Sequence, residues 1–111
     1  MARTTKLEPP NPAAWARLNS FVDGLYQELD KLSKKDPTQS ISPLAKDRIN
    51  RAIRDARALM GAHDDYVTDL REFPADEQFR HDQVRDGVLV LREIKQALDR
   101  LDERFDLSSA L

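Results

Sequence analysis

The chain has no cysteine, and glycine occurs three times in 111 residues. Without cysteine there can be no disulfide and no thiolate metal site. With so little glycine, a glycine-rich phosphate loop is also missing. Aromatic residues are sparse at 6%, and none is interleaved with the basic residues of the middle segment to stack nucleobases. No apolar stretch approaches the roughly 18 residues that a membrane span needs. The opening MARTTKLEPPNP lacks the apolar core of a secretory signal. A cytoplasmic location with no membrane partner is therefore expected. Charge of one sign is not in excess either. Eighteen Lys and Arg stand against 20 Asp and Glu, for a formal net charge of -2. A protein that neutralises nucleic-acid phosphates is usually basic overall, so nucleic acid is not an expected partner. Period-two alternation is missing too, which excludes half-buried strands.

What the sequence does contain is helical periodicity in a chain that is 40% apolar and 34% charged. Three prolines at 9, 10 and 12 predict a flexible, extended or disordered arm over residues 1–10, and Asn11 followed by Pro12 forms a helix start. Trp15, Leu18, Val22, Leu25, Leu29 and Leu32 then recur at steps of three and four, flanked by Phe21 and Tyr26. Lys34, Lys35 and Pro37 end this helix. Ser42 and Pro43 start a second one, whose stripe is Ile49, Ala52, Ala56, Leu59, His63, Tyr66, Leu70 and Phe73. After Pro74 a third restarts, with Asp76 and Glu77 in its first turn, and continues through Val84, Val88, Leu91, Ile94, Leu98, Leu101 and Phe105.

The expected fold is all-α: helices over 12–35, 43–72 and 75–105 in an elongated up-down-up antiparallel three-helix bundle, because short connections fold sequential helices back on one another. Residues 11–107 form the single domain, and 108–111 a frayed tail. In the second hairpin, residues whose numbers sum to about 147 would lie level, putting His63 beside Val84 and His81 beside Tyr66.

Three groups of residues invite functional readings. Arg57 and His63, with five residues between them in RALMGAH, resemble the arginine-x4–6-histidine signature of HEPN-type ribonucleases, which are small helical proteins. The resemblance covers seven residues and implies Arg57 on a phosphate and His63 as acid or base. It departs from the family at Ala58, where a polar residue is usual. His63, His81 and Glu77 could place two imidazoles and a carboxylate around a divalent metal, although the Glu-x-x-His pairs of di-iron bundles are missing. Arg48, Arg51, Arg54 and Arg57 make a ridge at steps of three with Lys46 beside it. The ridge could meet phosphates or an acidic partner, but Asp47 and Asp55 sit at i,i+4 to Arg51, as on an ordinary solvated face.

The reading favoured by the sequence is a non-catalytic helical interaction protein: a small adaptor, assembly subunit or regulatory partner with no cofactor. Its expected partner is a second copy of itself or another helical protein. Small residues at Ala58, Gly61 and Ala62 would allow another helix to come close, and Leu89 and Val90 lie in a segment, GVLVL, that is apolar all round. The ribonuclease with Arg57 and His63 and the metal site at His63, Glu77 and His81 are the alternatives.

Overall fold

The structure, a computed structural model, describes residues 9–74 and 83–111. Among them the chain is helical without strands, so the all-α expectation holds. Helix α1, Pro12–Lys35, has the expected bounds. The Asn11 side chain accepts from the amides of Ala13 and Ala14 at 2.8 and 3.2 Å, satisfying donors that have no partner inside the helix. Helix α2, Pro43–Met60, starts on Ser42, whose hydroxyl accepts from Ala45. A single turn, α3, covers Asp65–Thr68, and α4 spans Val84–Phe105. No helix among the described residues is long and apolar enough to cross a membrane.

The second helix does not run to residue 72 as its periodicity predicts. It stops at Met60, where Gly61 weakens the helix and the amides of His63 and Asp64 both turn back to the Met60 carbonyl. Asp64 is extended, at φ -142° and ψ 111°, and its carboxylate caps α3 through the amides of Tyr66 and Val67. A short acidic side chain that can bond the local backbone competes with helix continuation, and here it wins. The buried stripe changes with it. Ile53, Met60 and Val67 are fully inside, whereas Tyr66, expected on the stripe, is 72% exposed.

Chain direction differs as well. Helix α1 is antiparallel to α4: the Trp15 indole donates to the Leu98 carbonyl at 3.0 Å near one end, and Leu29 lies beside Gly87 near the other. Ile49 also lies beside Gly87, at the leading ends of α2 and α4, while at their trailing ends His63 meets Phe105 and Asp64 meets Arg100. Helices α2 and α4 therefore run the same way, and the arrangement is up-down-down, not up-down-up. The reversal that makes this possible is made by residues 69–74, an irregular strap that returns along α2 from Leu70 beside Arg57 to Pro74 beside Lys46. The expected pairing of His63 with Val84 is lost. The pairing of Tyr66 with His81 falls outside the described residues, as do residues 75–82 of the expected third helix and 1–8 of the arm; Gln83, expected inside that helix, is instead extended at φ -93° and ψ 156°, so α4 starts only at Val84.

The α1–α2 loop is stitched to the start of α4. Amides of Val84 and Arg85 donate to the carbonyls of Gln39 and Pro37, and the Asp86 carboxylate accepts from the Gln83 amide. The core is wholly apolar among the described residues, with Val22, Leu29, Ile49, Ile53, Met60, Leu91, Ile94 and Leu98 at 2% exposure or less. At the C-terminal end, where a frayed tail is expected over 108–111, Leu107 is buried and Ser108–Ala110 forms a 3-10 turn. The Asp102 carboxylate accepts from the Ser108 amide and hydroxyl at 2.7 and 3.0 Å, which ties that turn to α4.

Candidate interaction surface

The arginine ridge is split between two jobs. Because α2 has α1 on one flank and the strap on the other, side chains three residues apart drift from one to the other. Arg48 faces Glu28 of α1 at 3.9 Å. Arg51 lies over the Phe21 ring, 5.3 Å from its centroid, and pairs with Asp55 at 3.7 Å. Arg54 and Arg57 turn to the strap instead. Arg54 pairs with Glu72 at 2.6 Å, and an Arg57 Nη donates to the Leu70 carbonyl. Lys46 donates to the Pro74 carbonyl at 3.2 Å.

Between them stands Asn50, which the sequence reading passed over. Its amide group donates to the Phe73 carbonyl at 2.9 Å and accepts from the Phe73 amide at 2.7 Å, doing for the strap what a neighbouring strand would do. The signal was present: an asparagine inside a helix is a poor helix former, and it lies at helical spacing with Lys46, Arg54 and Arg57.

Arg57 and His63 have different partners. The His63 ring lies edge-on to Phe105, with centroids 5.1 Å apart, in the turn after α2, and its Nδ1 is buried without a hydrogen-bond partner among the described residues. The Nε of Arg57 is likewise buried and unpartnered there. Neither residue lines the hollow between α1 and α2 or the one beside Tyr66 and Arg100. Glu77 and His81 of the metal alternative lie outside the described residues. Among those that are described, no three acidic, histidine or cysteine side chains are grouped to hold a metal ion.

Of the small-residue patch, Ala58 and Ala62 are exposed and Gly61 is half-buried. A Cβ on Gly61 would sit 2.6 Å from the Arg57 carbonyl oxygen, so a larger residue there would force the backbone to shift. On α4, Leu89 is 54% exposed, and Val90 packs partly against the core.

Ala58 belongs to the larger hollow. This groove of about 430 Å³ between α1 and α2 is lined by Ala14, Arg17, Leu18 and Phe21 on one wall and Arg51, Asp55, Ala58 and Leu59 on the other. It opens because alanines face it near the start of α1 and the end of α2, while Phe21 and Leu59 leave part of their surface uncovered. Arg17 is exposed and meets no carboxylate among the described residues. A smaller hollow of about 280 Å³ is lined by Tyr66, Glu93, Gln96 and Arg100. It is polar and already braced, since Arg100 bonds the Asp64 carboxylate at 2.8 and 3.1 Å and lies over the Tyr66 ring.

Fold and site together define an all-helical chain with a groove between two antiparallel helices. The sequence matches no protein family, and neither characterised proteins nor solved structures show a significant likeness to it.

Proposed function

We propose that this is a non-catalytic helical interaction protein, an adaptor, assembly subunit or regulatory partner, that takes a helix of its partner into the groove between α1 and α2. The observation that carries this reading is the groove itself, where Ala14, Leu18, Phe21, Ala58 and Leu59 supply apolar surface beside the charged side chains of Arg17, Arg51 and Asp55. Grooves of this composition suit the apolar face of an amphipathic helix, which buries anchors at i, i+3 or i+4, and i+7. Small side chains at Ala14 and Ala58 let a third backbone come close. The partner helix belongs to another protein or to a second copy of the chain, and a cytoplasmic setting is part of the reading. Arg57 supports it indirectly, since its guanidinium is spent on the strap and is not offered to a substrate.

The test is a titration of the isotope-labelled chain with a stapled, leucine-rich amphipathic helix, read by amide chemical shifts. Shifts are expected to cluster on Leu18, Phe21, Ala58 and Leu59 and to vanish in Ala58→Arg, whose circular dichroism stays that of the parent. Shifts spread evenly over the surface, or undiminished in Ala58→Arg, would overturn the reading.

A further inference from the structure

We infer that the helix received by this groove carries carboxylates along one flank of its apolar stripe, so that the partner is an acidic amphipathic helix and not a basic or neutral one. This rests on the groove being the recognition face.

The argument is one of unbalanced charge. Three ionisable side chains line the groove. On the α2 wall Arg51 and Asp55 offset each other at 3.7 Å, and the Arg51 guanidinium is further engaged by the Phe21 ring. The α1 wall contributes Arg17 alone, exposed and without a carboxylate among the described residues. The groove therefore presents one uncompensated positive charge beside the apolar side chains of Ala14, Leu18, Ala58 and Leu59. A partner that brings lysine or arginine there meets a like charge, whereas aspartate or glutamate completes a pair at the edge of a desolvated contact.

Geometry limits the length of the contact. From Ala14 to Phe21 and from Arg51 to Leu59 each wall covers about two turns, roughly 12 Å at 1.5 Å per residue. Two turns of a docked helix place one flank residue, or two spaced by four, within reach of Arg17. The rest of the flank extends into solvent.

The test uses the full chain and two stapled helices with the same leucine stripe, one with glutamates and one with lysines at the flank positions, followed by fluorescence anisotropy of labelled peptide. The glutamate peptide is expected to bind about five-fold more tightly than its lysine twin in low salt, the size of one well-placed exposed pair, and the preference should shrink in high salt. Arg17→Glu should invert the order while leaving the circular dichroism unchanged. Ala58→Arg separates this inference from the reading beneath it. If it abolishes binding of both peptides but the parent shows no flank preference, the groove stands and the acidic partner is overturned. If both peptides bind equally well to Ala58→Arg, the groove is overturned too. Failure of either peptide to bind a chain that sedimentation shows to be closed by a second copy also overturns the acidic partner in favour of self-association.

Discussion

The two flanks of α2 are held by different physics. Toward α1 and α4 the molecule is sealed by side chains that leave water altogether: Val22, Leu29, Ile49, Ile53, Leu91, Ile94 and Leu98 interlock, and Asp23 with Lys95 adds an ion pair at the rim. Toward the strap, the outer face of α2 meets the chain through polar groups: Asn50, Arg54, Arg57 and Lys46 hold residues 70–74, with only Leu70 and Phe73 turned partly to the core. Burial is non-directional and tolerates adjustment, whereas hydrogen bonds to a main chain fix its position residue by residue. The first region sets how stable the protein is. The second sets which way the chain runs into α4.

The contrast can be broken from either side. The largest effect is expected from Ile94→Ala, which empties a fully buried site. It should cost about 2–5 kcal/mol, read as a lower denaturant midpoint for the whole molecule. Next is Asn50→Ala, which leaves the Phe73 amide and carbonyl unpaired in a half-buried setting. A cost of about 1–3 kcal/mol is expected, together with faster amide exchange at Phe73 and its neighbours than in α1 or α4. If the Phe73 amide stays as protected as in the parent, apolar burial holds the strap and the contrast collapses. Arg54→Ala should do least. Its side chain is 58% exposed, so losing the pair with Glu72 costs less than about 1 kcal/mol in thermal unfolding.

Much of the apolar half was legible in the residues. Asn11-Pro12 fixed the start of α1, and the stripe from Val84 to Leu101 matched the buried face of α4 almost residue for residue. The strap was not legible because Leu70 and Phe73 bury against the core from extended chain, and their spacing to His63 and Tyr66 imitates a helix. Periodicity counts positions and cannot tell a turn of helix from a chain that doubles back. The interrupting signals at Gly61 and Asp64 were weak beside a stripe eight residues long. At the candidate site, Ala58, singled out for its size, lines the groove. Arg17 was not singled out, because only the fold sets it on a groove wall opposite the Arg51–Asp55 pair.

Trp15 is the chain's single tryptophan, 6% exposed, with its indole N–H on the Leu98 carbonyl. Its fluorescence is thus an optical gauge of one contact, the seating of α1 on α4, and is blind to the polar ladder on the far side of α2. A variant that frees the strap should leave that emission where it was, while a chain whose core has loosened should shift it to the red, so a single wavelength tells which of the two regions has given way.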